Sequence, residues 1–229
     1  MAEARQLVVA IDGPAGSGKS TIAARLAEKL GYTNLESGAM YRALALKAIE
    51  QGVSFEDSEA LGQLGENTVI RLEPRPDGNR VLLDGRDVSQ RIREADVTAA
   101  ASRVSMHPSV RQIMVARQRE MGARGGVVME GRDIGTAVFP GADVKVFLDA
   151  DARVRAERRV AQNGTHSPEE AQRIVEELVA RDQRDRTRAV SPLVPAPDAI
   201  ILDTTDLSID DVISRVEQLI RRRLMSLSS

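Results

Sequence analysis

Near its N-terminus the chain reads LVVAIDGPAGSGKS over residues 7–20. Residues 13–20 fit the pattern G-x-x-x-x-G-K-[ST] and directly follow an apolar run that ends at Ile11. Glycines let such a backbone curl so that successive N–H groups point at an anion, while the lysine reaches the outer phosphates and the serine hydroxyl can ligate Mg²⁺. We therefore expect a nucleotide phosphate cradle, with Lys19 at the β- and γ-phosphates and Ser20 at the metal.

The residues around this segment alternate between strand and helix patterns. Apolar, β-branched runs predict strands, and apolar residues at fourfold spacing predict helices. In chain order these patterns predict a strand over 6–11, a helix over 21–30, a strand over 32–35 and a helix over 40–51. Gly31 and Gly52 follow the two helices as stop signals. This order predicts a parallel sheet with helices packed against it.

Residues 56–93 interrupt that alternation. A short helical stretch is followed by an apolar run over 68–73, the turn-rich segment 74–79 and a second run over 81–83. Two such runs around a turn indicate a β-hairpin. Because antiparallel pairing breaks a parallel-sheet pattern, we expect 56–93 to be an insertion packed beside the main domain.

The rest of the chain returns to the α/β pattern. Helical patterns cover 94–104, the segment after Pro108, 153–162, 168–186 and 209–224. Apolar runs over 126–129, 144–148 and 199–202 have the composition of inner parallel strands that are covered on both faces. The 229 residues thus suffice for one α/β domain with a five-stranded parallel sheet and a small insertion.

The composition excludes several classes of protein. The chain has no cysteine, which excludes disulfides, thiolate metal sites and cysteine nucleophiles. A formal net charge of −2 gives no general attraction to nucleic acid, and 2% aromatic residues are too few for a base-stacking single-strand binder. No stretch approaches the roughly 18 apolar residues of a membrane span, and no signal-peptide pattern precedes the first strand. We expect a cytoplasmic monomer without a nucleic-acid or membrane partner.

Three other segments carry residues suited to anions, namely 37–42, 130–133 and 181–188. The first two follow predicted strand ends, where open α/β sheets bind their ligands, so they should converge on the cradle. Arg42 and Arg132 would be planar forks able to hold a monophosphate, although an isolated arginine near a helix start is also a common surface charge. The arginines of 181–188 alternate with acidic residues and equally fit a salt-bridged helix face.

Four motifs together resemble those of the bacterial cytidylate kinase family, which are P-loop nucleoside-monophosphate (NMP) kinases. They are the cradle at 13–20, Ser-Gly-Ala-Met-Tyr-Arg at 37–42, Gly-Arg-Asp-Ile-Gly-Thr at 131–136 and Arg-Asp-Arg-Thr-Arg-Ala at 184–189. Their order and spacing extend the resemblance over essentially the whole chain. The resemblance implies transfer of the γ-phosphoryl group of ATP to CMP or dCMP, with Mg²⁺ as cofactor.

The resemblance also implies a domain organisation. The fold would be a three-layer P-loop fold around a central parallel five-stranded sheet. Its core would comprise 1–55 and 94–229, with a short lid near 153–168, and 56–93 would form the NMP-binding insertion with its antiparallel hairpin.

The same resemblance implies roles for individual residues. The ATP phosphates would be bound by Gly13, Pro14, Ala15, Gly16, Ser17, Gly18, Lys19, Ser20 and Thr21. The acceptor phosphate would be held by Arg42, Arg132 and Arg188. The cytosine edge would be read by Ser102, Arg111 and Asp133. The sugar would be faced by Arg181 and Asp185, with Ser37 and Tyr41 nearby. The catalytic residues would be Lys19, Arg132, Arg155, Arg158 and Arg188, with Ser20 as the metal ligand.

Elementary chemistry supports the base-reading role independently. Cytosine offers an N4 amino donor where uracil offers a carbonyl acceptor, so the carboxylate of Asp133 would pair with the first and repel the second. We therefore expect preference for CMP over UMP.

Two features leave alternatives open. Arg155, Arg158 and Arg159 share a helix face at i, i+3 and i+4 and would close over the phosphates, yet nearby acidic residues also fit a solvated face. Glu130 stands where many NMP kinases place an aspartate, and its longer side chain changes the reach, so Ser20 is the better candidate for the metal.

Other functions compete with this one. The nearest is another NMP kinase with UMP or AMP as acceptor. A GTP-hydrolysing switch is disfavoured because none of the lysines (Lys19, Lys29, Lys47 and Lys145) lies in an Asn-Lys-x-Asp segment. A nucleic-acid-stimulated ATPase is disfavoured by the net charge and the scarce aromatics.

Overall fold

The computed structural model describes residues 6–75, 78–164 and 167–227. Its central sheet contains the parallel strands β1 (Val8–Asp12), β2 (Thr33–Glu36), β6 (Val127–Gly131), β7 (Val144–Asp149) and β8 (Ile200–Asp203). Their spatial order is β2-β6-β1-β7-β8. The predicted α/β fold with five parallel strands is confirmed.

Eight α-helices accompany the strands within these described residues. They are α1 (Lys19–Leu30), α2 (Ser37–Glu50), α3 (Ser58–Glu66), α4 (Ala95–Val104), α5 (Pro108–Gly122), α6 (Ala152–Asn163), α7 (Pro168–Thr187) and α8 (Ile209–Leu227). Gly31 ends α1 as the glycine pattern predicts, since it adopts a φ of 64° and its N–H closes the last turn onto Ala27 and Glu28.

Helices cover both faces of the sheet, which gives the three layers. Side chains alternate between the faces of a strand. Val9 and Ile11 of β1 therefore join apolar residues of α1 and α8 on one face. On the opposite face Ala10 packs with Met129, and α5 reaches this layer through Val115.

A small antiparallel sheet forms where the hairpin was expected. It contains β3 (Ile70–Arg75), β4 (Gly78–Leu83) and β5 (Arg86–Asp87). The strands extend further into the predicted turn at 74–79, because Pro74 pairs with Asn79 and Arg75 with Gly78. Pro74 has no N–H to donate and is tolerated because β3 is an edge strand. The tip of the hairpin, 76–77, lies outside the described residues.

The hairpin is not isolated from the helices. Val81 of β4 is buried in one apolar cluster with Leu44 of α2, Val97 of α4 and Val110 of α5. The strand β4 thus packs against α2, α4 and α5 through a shared core.

One strand differs from its prediction. Residues 199–202 have the apolar composition of an inner strand, but β8 lies at the edge of the sheet and leaves Ile200 and Ile201 exposed by 45% and 59%. Composition alone could not reveal this, because strand order depends on pairing between segments distant in sequence. Among the described helices, none combines the length and apolar character needed to cross a bilayer.

Candidate active site

The phosphate loop, residues 13–20, connects β1 to α1 as its sequence predicts. Gly13 has a φ of 149°, and a Cβ there would lie 2.0 Å from the carbonyl oxygen of Leu148. Gly16 has a φ of 77°, and a Cβ added to it would lie 2.8 Å from the carbonyl oxygen of Arg155. Only glycine fits these two positions, because both the backbone conformation and the available space exclude a side chain.

Lys19 is almost completely buried beneath this loop. Its Nζ donates hydrogen bonds to the Pro14 carbonyl at 2.6 Å and to Ser17 Oγ at 3.3 Å. Burial, followed by the charge of Arg132, lowers the pKa of Lys19 to about 7. The lysine thus lies against the loop that was expected to carry nucleotide phosphates, and a phosphate oxygen could replace the carbonyl as its partner.

Ser20 and Glu130 contact each other beside the loop. Ser20 Oγ donates a hydrogen bond of 3.0 Å to Glu130 Oε1. The parallel pairing of Ile11 with Glu130 brings this carboxylate to the cradle. Hydroxyl and carboxylate oxygens suit Mg²⁺, which typically completes its shell with water and nucleotide phosphates. The described residues contain no cluster of three or more His, Cys, Asp or Glu side chains that could hold a metal ion.

Several guanidinium groups concentrate positive charge next to Lys19. Burial and then the charge of Arg132 lower the pKa of Arg181 to about 10. Burial and then the charge of Arg42 lower the pKa of Arg159 as well. A cation whose pKa is lowered by neighbouring cations would be stabilised by a multiply charged anion. The charges of Arg132 and Arg42 both act on Arg181, so the structure brings these three arginines together.

Carboxylates hold these arginines in place. Arg42 donates to Glu36, and Arg132 Nε donates to Asp185 Oδ2 at 2.9 Å. Burial opposes ionisation of Glu36, but the Arg42 guanidinium keeps the pKa of this carboxyl below its ordinary value. The arginine forks are therefore oriented before any anion binds.

Arg111 and Asp133 form an ion pair in the interior. Arg111 is only 1% exposed, and its Nη2 donates to Asp133 Oδ2. The guanidinium lies over the ring of Tyr41, 5.4 Å from its centroid. Arg188 Nη2 approaches the other Asp133 oxygen at 3.7 Å. Asp133 is thus held between two arginines, with Tyr41 supporting one of them by a cation–π contact.

The remaining predicted acceptor residues occupy the same region. Ser102 Oγ accepts a hydrogen bond from Arg184 Nε at 2.9 Å, which links α4 to α7. Ser37 Oγ donates to the Glu130 carbonyl at 2.8 Å and so ties α2 to β6. Asp185 also lies 3.6 Å from Arg188 Nη1.

The two predicted lid arginines point to different places. Arg155 Nη1 donates to the Ala15 carbonyl at 3.0 Å and pairs with Asp182, whose second oxygen accepts from the Ala15 N–H at 3.3 Å. Arg158 instead donates to the carbonyl and hydroxyl of Thr204, just after β8. The structure does not bring Arg158 to the loop. Successive residues point about 100° apart on a helix, and Arg159 is the neighbour that faces Arg42.

Comparison with known proteins agrees with this geometry. The family model described as cytidylate kinase matches residues 9–222. A protein named cytidylate kinase from Geobacillus kaustophilus is 47% identical over 221 residues, which cover 96% of this chain and 99% of that one. Its counterpart from Solibacter usitatus is 48% identical over 229 residues, covering 98% and 97%. The chain belongs to the cytidylate kinase family.

Sequence reasoning missed two site residues of this member of the cytidylate kinase family. Asp182 reads as one charge among many on a helix, and no local signal marks its contact with the phosphate loop. Asp12 ends β1 and is 5% exposed. Burial raises the pKa of Asp12 to about 6, although two backbone N–H groups oppose the shift. A charged residue between a predicted buried strand and a phosphate loop is a signal that could have been noticed.

Proposed function

We propose that the protein transfers the γ-phosphoryl group of ATP to CMP or dCMP and releases ADP with CDP or dCDP. The observation that carries this proposal is the adjacency of two cationic sites: Glu130 at the end of β6 accepts a hydrogen bond from Ser20 of the phosphate loop, and Arg132, two residues further along, donates to Asp185 in the arginine cluster. Phosphoryl transfer needs donor and acceptor phosphates side by side in such a field. The family of the chain supports the cytidine acceptor.

The donor half is the phosphate loop. The backbone from Gly13 to Thr21 would hold the ATP phosphates through its N–H groups, which every residue except Pro14 has, and Lys19 would exchange the Pro14 carbonyl for a phosphate oxygen. Mg²⁺, held through Ser20 and the nucleotide with Glu130 beside it, would neutralise phosphate charge when bound.

The acceptor half is the arginine cluster and the buried ion pair next to it. Arg42, Arg132 and Arg188 would hold the acceptor phosphate. Arg181 and Asp185 would meet the sugar, near Ser37 and Tyr41. These groups place the acceptor oxygen toward the donor without a covalent intermediate, since positioning and charge neutralisation supply most of the catalysis in such reactions.

Base selection would rest on Asp133, Arg111 and Ser102. Asp133 would accept from the cytosine amino group, while Arg111 would donate to a ring acceptor. Ser102 Oγ already accepts from Arg184, which leaves its hydrogen free to donate to the base.

Closure would complete the site. Arg155 already touches the loop, and Arg158 would join it only if α6 leaves Thr204. We propose that 153–168 acts as the lid and 56–93 as the NMP-binding insertion around the core of 1–55 and 94–229. Their closure would exclude water and so limit ATP hydrolysis. We also propose that the protein works as a monomer in the cytoplasm, where its nucleotide substrates are found.

The deciding experiment is coupled ADP release with ATP, Mg²⁺ and each nucleoside monophosphate in turn. We expect CMP and dCMP to exceed UMP and AMP by at least tenfold in kcat/KM. ADP release that does not depend on any acceptor would contradict the kinase assignment and favour a hydrolysing switch. Efficient use of UMP or AMP instead would identify a different NMP kinase.

A further inference from the structure

Asp12 joins the phosphate loop to the segment that carries Asp133. It is the last residue of β1, directly before Gly13, and is almost completely buried. Its Oδ1 accepts the N–H of Ile134 at 2.8 Å, and its Oδ2 accepts the N–H of Gly135 at 2.7 Å. Both oxygens of this carboxylate therefore hold the two residues that immediately follow Asp133.

The segment after Asp133 is a π-helical turn over Ile134–Val138. The Val138 N–H donates to the Asp133 carbonyl and the Phe139 N–H to the Ile134 carbonyl. The first N–H groups of such a turn lack partners within it, and the residue at its start commonly supplies one with its side chain. Asp133 occupies that position but makes no capping bond among the described residues, because its carboxylate faces Arg111 and Arg188.

Asp12 thus performs the capping that Asp133 would otherwise perform. If the Ile134 and Gly135 N–H groups had no partner, they would attract the carboxylate of Asp133, the residue that immediately precedes them. Satisfying them from β1 leaves the Asp133 carboxylate free to face the base-reading site.

Contacts at the other end and side of the turn make its position well defined. Arg119 of α5 donates from Nε to the Val138 carbonyl at 3.0 Å and from Nη2 to the Ala137 carbonyl at 2.6 Å. Gly135 packs against Lys145, whose Cδ would lie 3.2 Å from an added Cβ. A carboxylate at the start and a guanidinium at the end also complement the dipole of the turn.

We propose that Asp12 is a positioning residue that sets acceptor-base selectivity, by capping the turn and so keeping Asp133 directed at the base. This inference rests on the proposed function. It concerns a residue next to the ATP phosphates, yet it predicts an effect on the acceptor.

The test compares substitutions of two carboxylates, Asp12 at the end of β1 and Asp143, which contacts the beginning of β1. Asp12→Asn keeps the size of the side chain but turns an amino group toward one of the two N–H donors. Asp143→Asn is the matched control, because Asp143 Oδ2 accepts the Val8 N–H at 3.0 Å in a comparable carboxylate–backbone bond far from the site. Steady-state kinetics with ATP give kcat and KM for CMP, UMP and ATP separately, and titration calorimetry gives the affinity for CMP without turnover.

We expect Asp12→Asn to lower the CMP/UMP ratio of kcat/KM at least tenfold while KM for ATP changes less than threefold. Asp143→Asn should leave the ratio unchanged. In an Asp133→Asn background, Asp12→Asn should no longer change the ratio, since the two residues act through one contact. Equal effects on ATP and CMP, or an undiminished effect in that background, would overturn the inference.

A second variant keeps the test decisive if Asp12→Asn does not fold. Arg119→Met releases the opposite end of the same turn and should lower the CMP/UMP ratio at least threefold; an unchanged ratio would contradict control of Asp133 by the turn.

The two proposals fail differently. If the wild-type protein shows no CMP-dependent ADP release, the proposed function fails; if it does and Asp12→Asn retains the wild-type ratio, only the role of Asp12 fails.

Discussion

Arg155 and Asp182 form an ion pair of 2.5 Å that joins α6 to α7 directly beside Ala15 of the phosphate loop. The pair holds the Arg155 guanidinium against the Ala15 carbonyl, in the loop that we propose binds the ATP phosphates. Arg158 of the same helix has a different partner, because it donates to the Thr204 carbonyl.

We expect Arg155→Met to lower kcat by about 100-fold, since a charge acting in the transition state would be lost. Arg158→Met should cost much less, and Arg153→Met, at an exposed position of the same helix, should have no effect. Steady-state kinetics on the three variants checks this. Equal losses at Arg155 and Arg158 would show that α6 moves far enough to bring both to the phosphates.

Glu130 should govern the requirement for Mg²⁺. Glu130→Gln keeps the hydrogen-bonding shape near Ser20 but removes the negative charge. Because groups around a metal commonly alter its affinity by 10–100-fold, we expect the half-saturating Mg²⁺ concentration to rise about tenfold. A Mg²⁺ titration at fixed ATP and CMP measures it. An unchanged midpoint with normal activity would place Glu130 outside the metal site.

Asp133 should account for the choice between cytosine and uracil. Asp133→Asn offers both a donor and an acceptor, so it no longer repels the uracil carbonyl. We expect the CMP/UMP ratio of kcat/KM to fall by about 10- to 100-fold, in line with about 1–3 kcal/mol for a buried hydrogen-bond mismatch. Acceptor kinetics measures the ratio. Equal use of CMP and UMP by the wild-type enzyme would remove this role from Asp133.

ATP binding should take up a proton through Lys19 above neutral pH. The pKa of about 7 leaves much of Lys19 uncharged at pH 8 in the free protein, and bound phosphates would favour its charged form. Affinity for ATP should therefore fall as the pH rises above 7. Calorimetry in buffers of different ionisation enthalpy detects the proton uptake. Lys19→Met should abolish it, and uptake that persists in that variant would assign it to another group.

Asp12 should make the stability of the protein depend on pH below neutrality. Its pKa is raised from 3.8 to about 6 by burial, with Asp133 adding to the rise and Lys19 opposing it. The associated stability is present below pH 3.8 and is lost as the pH rises through 6. Relative to Asp12→Asn, the wild-type protein should lose about 2 kcal/mol of unfolding free energy between pH 4 and pH 7. Urea unfolding at both pH values measures this difference, and a pH-independent difference would contradict the raised pKa.

Local patterns were sufficient for much of the fold. The five strands, the phosphate loop and the hairpin each leave a signal within a few residues, through apolar runs, glycines and turn residues. The position of β8 at the sheet edge has no such local signal, because an apolar run has the same composition in an edge strand and in a central strand. For the same reason the π-helical turn at Ile134–Val138 was not predicted, since its bonds to Asp12 and Arg119 come from distant segments.

The sequence by itself determined that a phosphate cradle stands between a strand and a helix, because glycine conformations and side-chain periodicity are local properties. Only the tertiary structure decided what surrounds that cradle. The pairing of β1 with β6 brings Glu130 to Ser20. It also brings the Asp12 carboxylate to the N–H groups of the turn that follows Asp133. The packing of α6 against α7 places Arg155, and not Arg158, beside the phosphate loop. These contacts depend on strand order and helix rotation, which arise from burial across the whole chain.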